Sequence, residues 1–184
     1  MRNVYVDMDQ TLNELWKPFI KHLSIIKGKK YHLKMRDFKT YQIVNNFEDL
    51  KNEDWFPLTN QIFNIPNFWL DIPVRKDAIP VLEKLQKDNL TNLYIVTAPW
   101  VHYLHCTSDK ILWLKKHFPF IDPEQIIFMK DKFLLRDGII IDDAPKYLST
   151  FKGLKIAIDF PYNRDIKVDL RAKNWKQIER FLGL

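Results

Sequence analysis

The chain has 184 residues, room for one domain with a real core or for a core domain carrying a sizeable insertion. Its 46% hydrophobic and 28% charged residues make an ordinary soluble globular balance, and a net charge of +6 favours anionic partners: phosphorylated small molecules, nucleic acid or an acidic surface. Cys106 is the only cysteine, which excludes an intrachain disulfide, and no apolar run approaches the roughly 20 residues that span a bilayer.

The first element, Asn3 to Val6, is a short apolar run that reads as a buried strand. It leaves no room for a signal or transit peptide, so a cytoplasmic location is expected. The strand runs into "DMDQT", which sets Asp7 and Asp9 one residue apart, with Thr11 two places on and no basic residue nearby in sequence. Two carboxylates held together raise each other's pKa and cost free energy unless a cation or a shared proton intervenes. Taken alone, the stretch also reads as a strand followed by an aspartate-rich turn.

Residues 14 to about 70 hold a basic helical pattern, "LWKPFIKHLSIIKGKK", then a polar stretch rich in Asn, Asp and aromatics, with a strand only near Tyr41 to Val44. From Lys17 to Lys39 there are eight Lys or Arg against Glu14 and Asp37. Such a run is usually a solvated helix face; it could also steer anionic substrates or bind nucleic acid nonspecifically. Trp16, Phe19, Tyr31, Phe38, Tyr41, Trp55 and Phe56 interleave it, mostly to close the segment's own core but able to stack a base.

Next, "KDAIPVLEKLQKDN" presents Ile79, Leu82 and Leu85 on one helical face, with Pro80 tolerable near the start. A strand over Asn92 to Val96 ends at Thr97, and "SDKILWLKKHF" follows as a helix with Ser108 as its N-cap and Ile111, Leu114 and Phe118 at helical spacing. His102, His105 and Cys106, just before it, fit no zinc spacing. Strands at Ile126 to Met129 and Gly138 to Ile141 are followed by Lys130 and Lys132 and by Asp142 and Asp143. A strand at Leu154 to Ile158 and a last helix capped by Asn174, with Trp175, Ile178 and Leu182 inward, complete the chain.

Strands alternating with helices predict an α/β fold: a doubly wound parallel sheet with helices on both faces. Residues 1–13 and 71–184 form this core, and residues 14–70 read as a small, mainly helical cap inserted after the first strand. In such sheets ligands bind beyond the carboxyl ends of the strands. The residues delivered there are Asp7, Asp9 and Thr11, then Thr97, then Lys130 and Lys132, then Asp142 and Asp143. Singly, Thr97 reads as a turn residue, Lys132 as a surface lysine, and Asp142 and Asp143 as caps of the next helix. Together they outline a phosphate-and-magnesium site. Mg²⁺ takes hard oxygen ligands, a carboxylate can attack phosphorus, and a lysine and a hydroxyl can neutralise the transferring phosphoryl oxygens.

These four segments, in this order, resemble the motifs of the haloacid dehalogenase superfamily of phosphohydrolases: "DMDQT" the first, Thr97 the second, Lys132 the third and the "DD" at 142 and 143 the fourth. Over most of residues 68 to 145, "FWLDIPVRKDAIPVLEKL", "YIVTAPWVHYLHCTSDKILWLKKHF" and "FMKDKFLLRDGIIIDDAP" are similar to the 5′(3′)-deoxyribonucleotidases. Likeness is weak across residues 14 to 67. The resemblance implies Asp7 as nucleophile and Asp9 as the acid that protonates the leaving oxygen and later activates water. It implies Mg²⁺ held by Asp7, Asp143 and the backbone carbonyl of Asp9, with Asp142 orienting the site and Thr11 supporting it. Thr97 and Lys132 would hold the phosphate, and Lys130 stands where the mammalian enzymes carry a substrate-contacting arginine. Gln10 departs from a common glycine, and Ala98 from a serine.

The expected function is therefore Mg²⁺-dependent dephosphorylation of nucleoside monophosphates, 5′(3′)-deoxyribonucleotides in particular, through an aspartyl phosphate. The cap residues Trp16, Trp55 and Phe56 are the first candidates for sugar or base contacts. A phosphatase for another small ester or for polynucleotide ends is the alternative, and a noncatalytic basic nucleic-acid-binding module is the alternative of another class. The expected partner is a small-molecule nucleotide, with no membrane, nucleic acid disfavoured, and a homodimer among the assemblies allowed.

Overall fold

The computed structural model describes all 184 residues. Six strands, β1 (Arg2–Val6), β2 (Thr91–Thr97), β3 (Ile126–Phe128), β4 (Ile139–Asp142), β5 (Leu154–Ile158) and β6 (Leu170–Ala172), form one parallel sheet in the order β3-β2-β1-β4-β5-β6. β6 has no counterpart among the predicted strands, because "LRA" offers no apolar run and is held at the edge by pairing with β5 alone.

Side chains alternate between the sheet's faces. Val4, Val6, Leu93, Ile95, Ile139, Ile141, Ile156 and Ile158 enter one cluster together with residues of α3 (Ala78–Lys87), α4 (Cys106–His117) and α6 (Trp175–Leu182). Tyr5, Val96, Ile140 and Ala157 enter a second with Leu148 of the short α5 (Pro145–Thr150). The first cluster holds 40 buried residues, those of the segment between β1 and α3 included, and the second six, so helices cover both faces unequally.

Two helices differ in detail from their predicted form. α3 turns Ala78, Val81, Leu82 and Leu85 inward and leaves Ile79 half-buried. α4 starts two residues before Ser108, whose Oγ donates to the His105 carbonyl at 2.8 Å within the first turn and caps nothing. α6 is capped as expected, the Asn174 side chain accepting from the Gln177 N–H at 3.1 Å.

The segment between β1 and α3 leaves and rejoins the sheet at one point. Asn13 and Val74 form an antiparallel bridge, the Glu14 N–H donates to Pro73 O at 2.9 Å, and the Arg75 N–H donates to Leu12 O at 2.8 Å. Between these ends lie α1 (Trp16–Ile26), α2 (Trp55–Phe63) and single 3-10 turns at Met35–Asp37 and Val44–Asn46. No strand forms at Tyr41 to Val44. The Asn46 carboxamide donates to Thr40 O and Gln42 O at 2.9 Å each and accepts from Thr40 N at 2.9 Å, curling this stretch on itself. Phe19, Leu23, Phe38, Leu58 and Ile62 of the segment belong to the same 40-residue cluster as the sheet. In the basic run Lys17, Lys27 and Lys29 pair with Glu14, Glu53 and Asp49 at the surface. No helix is long and apolar enough to cross a membrane.

Where β4 begins, Gly138 has φ +99°, and a Cβ there would lie 2.3 Å from the Asn3 carbonyl oxygen. Backbone cannot yield as a flexible side chain can. Gly138→Ala is expected to lower stability by at least about 2 kcal/mol through strain and overlap. In a thermal melt this would read as a fall of at least roughly 4 °C; an unchanged midpoint would contradict it.

Candidate active site

The strand order reverses at β1, which lies between β2 and β4, and a crevice opens there beyond the carboxyl ends. Asp7 follows β1 directly, its N–H donating to Ile141 O at 2.9 Å, while Thr97 ends β2 and Asp142 ends β4. Lys132 arrives from a 3-10 turn, Lys132–Leu134, beyond β3. Its ammonium donates to Asp7 Oδ1 and, at 2.7 Å, to Asp142 Oδ2, with only 2% of the residue exposed. The other oxygen of Asp142 accepts from the Ala144 N–H at 2.8 Å, so this carboxylate both shapes the turn into α5 and anchors the lysine.

Asp7, Asp142 and Asp143 each offer a carboxylate oxygen, and the three lie within 4.8 Å of one another, all buried. Burial pushes the Asp7 carboxyl from 3.8 up to about 7; Lys132 pulls it down, and Asp142 and Asp9 push it further up. Burial likewise raises Asp143 well above the usual carboxylate range, with Asp142 and Asp7 adding to it. Burial opposes the charge on Lys132, but Asp142 and Asp7 outweigh it and hold the ammonium above its ordinary value. One ammonium cannot offset three ionised carboxylates, so either protons retained on them or a divalent cation must make up the difference. A set of hard oxygen donors at this spacing suits a divalent cation such as Mg²⁺ or Ca²⁺ better than a thiophilic metal.

Asp9 sits in different surroundings. Its Oδ1 accepts from Asn13 Nδ2 at 3.1 Å and its Oδ2 from Lys110 Nζ at 2.5 Å. Lys110 is fully buried and spends its other donors on Thr97 Oγ1 at 2.8 Å and Ala98 O at 2.9 Å. Sequence reading missed it. The signal was present: Lys110 falls on the same helical face as Cys106, Trp113 and Leu114, and a lysine in an apolar stripe needs acidic or carbonyl partners.

Between Asp9 and Asn13 the chain turns through Gln10 at φ +62°, a conformation that favours glycine. The turn is fixed from both sides, by the Gln10 N–H on Asn13 Oδ1 at 3.0 Å and by Arg75 Nε on Gln10 O at 3.1 Å. Thr11 is buried against the core, its carbonyl accepting from Trp175 Nε1 at 3.1 Å and its hydroxyl without a partner. It is not among the residues that line the cavity beside this edge.

A cavity of about 580 Å³ adjoins this edge, lined by Asp9, Gln10, Ala98 and Lys130 and walled by aromatics that include Tyr41, Trp55, Phe56, Phe63, Trp69 and Trp100. Of the three aromatic residues singled out in the sequence, Trp55 and Phe56 line it. Trp16 does not: its ring packs edge-on against Phe38 at 5.7 Å, away from the opening. A more open groove of about 770 Å³ lies at the opposite edge of the sheet, around Met1, Arg2, Leu90 and Leu184, and contains none of these residues.

Comparison with known proteins agrees with this arrangement. The family model described as 5′ nucleotidase, deoxy (pyrimidine), cytosolic type C protein matches residues 1–183. A 5′(3′)-deoxyribonucleotidase of Clostridium acetobutylicum is 34% identical over 170 residues, covering 92% of this chain and 88% of its own. One from Bacillus subtilis is 27% identical over 97% of both chains. Among solved structures, the HAD-hydrolase YfnB of Bacillus subtilis, bound to magnesium, superposes with a TM-score of 0.61 at 18% identity, covering 100% of this chain and 99% of its own. A haloacid dehalogenase-like protein from Agrobacterium tumefaciens gives 0.64 at 12%, covering 100% and 98%; both show the fold. With residues 1–183 matched and its carboxylates at the switch point of a fold shared with haloacid dehalogenase-like hydrolases, the chain belongs to the cytosolic type C family of deoxyribonucleotidases.

Proposed function

We propose that this chain is a Mg²⁺-dependent phosphomonoesterase that dephosphorylates deoxyribonucleoside monophosphates through an aspartyl phosphate. The observation that carries the reading is the division of the two aspartates: Asp7 joined to Lys132 and the acidic cluster, Asp9 facing the cavity on the side of Lys110. Asp7 attacks phosphorus, forming a carboxylate–phosphorus bond as the bond to the nucleoside oxygen breaks. Asp9 gives its proton to that oxygen. Asp9 then takes a proton from water, whose oxygen attacks the phosphoryl group and returns Asp7 and inorganic phosphate. Thr97 accepts from Lys110, which leaves its own hydroxyl proton free for a phosphoryl oxygen, and Lys132 offsets charge as it develops. Asp7, Asp143 and the Asp9 carbonyl would hold Mg²⁺, which when bound neutralises the phosphate and the carboxylate facing it.

The segment of residues 14–70 acts as the cap in this reading, with Trp55 and Phe56 against the nucleoside. A cavity of about 580 Å³ walled by aromatics suits a mononucleotide better than a polynucleotide end. Trp16 is replaced as a candidate contact by Trp100, which meets Phe56 at 5.7 Å on the cavity wall.

A phosphate-release screen over deoxyribonucleotides, ribonucleotides and sugar phosphates tests the assignment. Deoxyribonucleotides are expected to lead. An apolar lining leaves a 2′-hydroxyl unpaired but rejects it only about 10²-fold, so the margin over ribonucleotides should not exceed that order. Preference for ribonucleotides, or for sugar phosphates, would refute it.

Asp7→Asn is expected to abolish turnover with the fold retained; activity within about tenfold of the parent would remove Asp7 as nucleophile, given the accelerations of about 10⁶-fold or more that enzymes reach. Asp9→Asn is expected to slow nucleotide hydrolysis by about 10² to 10⁴ and para-nitrophenyl phosphate hydrolysis by less, because that leaving group needs little protonation. Equal losses on both would tell against the acid role.

Stability should follow the same group. The folded chain keeps a proton on Asp7 up to about pH 7, whereas the unfolded chain releases it near 3.8. Its contribution is full below the lower value and is lost as pH rises through the upper one. In chelator, the melting temperature is expected to fall from about pH 5 to about pH 8, and Asp7→Asn to make that fall shallower. An unaltered slope would contradict the burial argument.

A further inference from the structure

Asp143 is held from outside the acidic cluster by a single turn of chain. Tyr162, in the 3-10 turn Pro161–Asn163 after β5, donates its hydroxyl to Asp143 Oδ2. The neighbouring Asn163 donates through Nδ2 to the Asp143 carbonyl at 2.8 Å and to Ile158 O at 2.9 Å. Arg171 of β6 donates to Asn163 Oδ1 at 2.5 Å, fixing that carboxamide. Side chain and main chain of Asp143 are thus tied to the same turn.

Tyr162 is in turn fixed by aromatic neighbours. Its ring stacks on Phe160, with centroids 4.9 Å apart and planes 10° apart. Tyr41 meets it edge-on at 5.5 Å and 90°, and the Tyr162 N–H donates to Phe38 O at 3.1 Å. Phe160 meets Phe38 edge-on at 5.9 Å. Phe38 and Tyr41 belong to the inserted segment, and Tyr41 also lines the cavity. The phenol is therefore held by groups from both the sheet side and the insertion.

We propose that Tyr162 is a positioning residue for the cation site: its hydroxyl fixes the rotamer of the Asp143 carboxylate, and the edge contact from Tyr41 keeps the phenol in place. The physical reason is entropic. A carboxylate anchored through one oxygen presents the other to a cation without losing rotamer freedom on binding, and groups that hydrogen-bond to metal-binding carboxylates typically contribute about 10- to 100-fold to metal affinity or activity. This inference rests on the reading of Asp143 as a Mg²⁺ ligand.

Tyr162→Phe keeps the stacked ring and removes only the donor. Mg²⁺ binding is measured on the substrate-free protein by calorimetry and by the Mg²⁺-induced shift in melting temperature. Binding is expected to weaken about 10-fold or more, with the half-activating Mg²⁺ concentration rising in parallel and most of the turnover recovered at saturating Mg²⁺. Tyr41→Leu, which leaves Asp143 untouched, is expected to weaken Mg²⁺ by a smaller factor and serves if the first variant misfolds. Unchanged or tighter Mg²⁺ binding in a folded Tyr162→Phe protein, or unchanged binding in Tyr41→Leu, overturns the proposal. If the parent itself shows no Mg²⁺-induced shift, the ligand reading fails and this inference falls with it; a shift in the parent that both variants reproduce overturns this inference alone.

Discussion

The buried ammonium of Lys132 is the charge on which the site depends. Asp7 and Asp142 stand at the ends of neighbouring parallel strands, a consequence of β1 pairing with β4. Two desolvated carboxylates so placed repel each other strongly, and removing the cation between them would leave both uncompensated. Lys132 reaches them from beyond β3, across the position of β2, so a residue far off in the strand order closes the pair. The sheet's order and the site's electrostatics are one arrangement.

A second lysine keeps the two aspartates of the first loop apart in chemistry. Asp7 and Asp9 are separated by one residue, yet each has its own buried ammonium: Lys132 for the first and Lys110 for the second. Lys110 also carries Thr97 on the same Nζ, so the buried hydroxyl at the end of β2 and the Asp9 carboxylate on the cavity wall share one fixed donor. The turn through Gln10 makes the separation possible. It reverses the chain at a positive φ, and Arg75, from the return limb of the insertion, holds its carbonyl.

The α/β class, five of the six strands and the ring of Asp7, Asp9, Thr97, Lys132, Asp142 and Asp143 were legible because each strand is an apolar run ending in a polar residue. Parallel sheets put such ends on one edge, so spacing along the chain became proximity in space. Lys110 was hidden because a lysine beside Asp109 on a helix looks solvated until the partner across the fold is known. β6 was hidden because an edge strand needs only one neighbour. Trp16 and the supposed strand near Tyr41 were misjudged for a related reason. What decides them is local: Phe38 under the Trp16 ring, and the Asn46 carboxamide bonded to the backbone around it. Tyr162 carries no sequence signal, since only the fold of the turn after β5 brings its hydroxyl to Asp143.

The apolar interior runs without a break from the sheet into the segment between Asn13 and Val74. Phe19, Phe38 and Phe63 are as much part of the sheet's own interior as Val6 or Ile95. A lid hinged on two exposed linkers would keep a core of its own; this segment shares one, so removing it would expose apolar side chains of the central domain as well as its own. A close-packed interior resists changes of volume, so a substitution in the segment that alters a buried side chain is felt by the sheet's packing as well as by the segment's own.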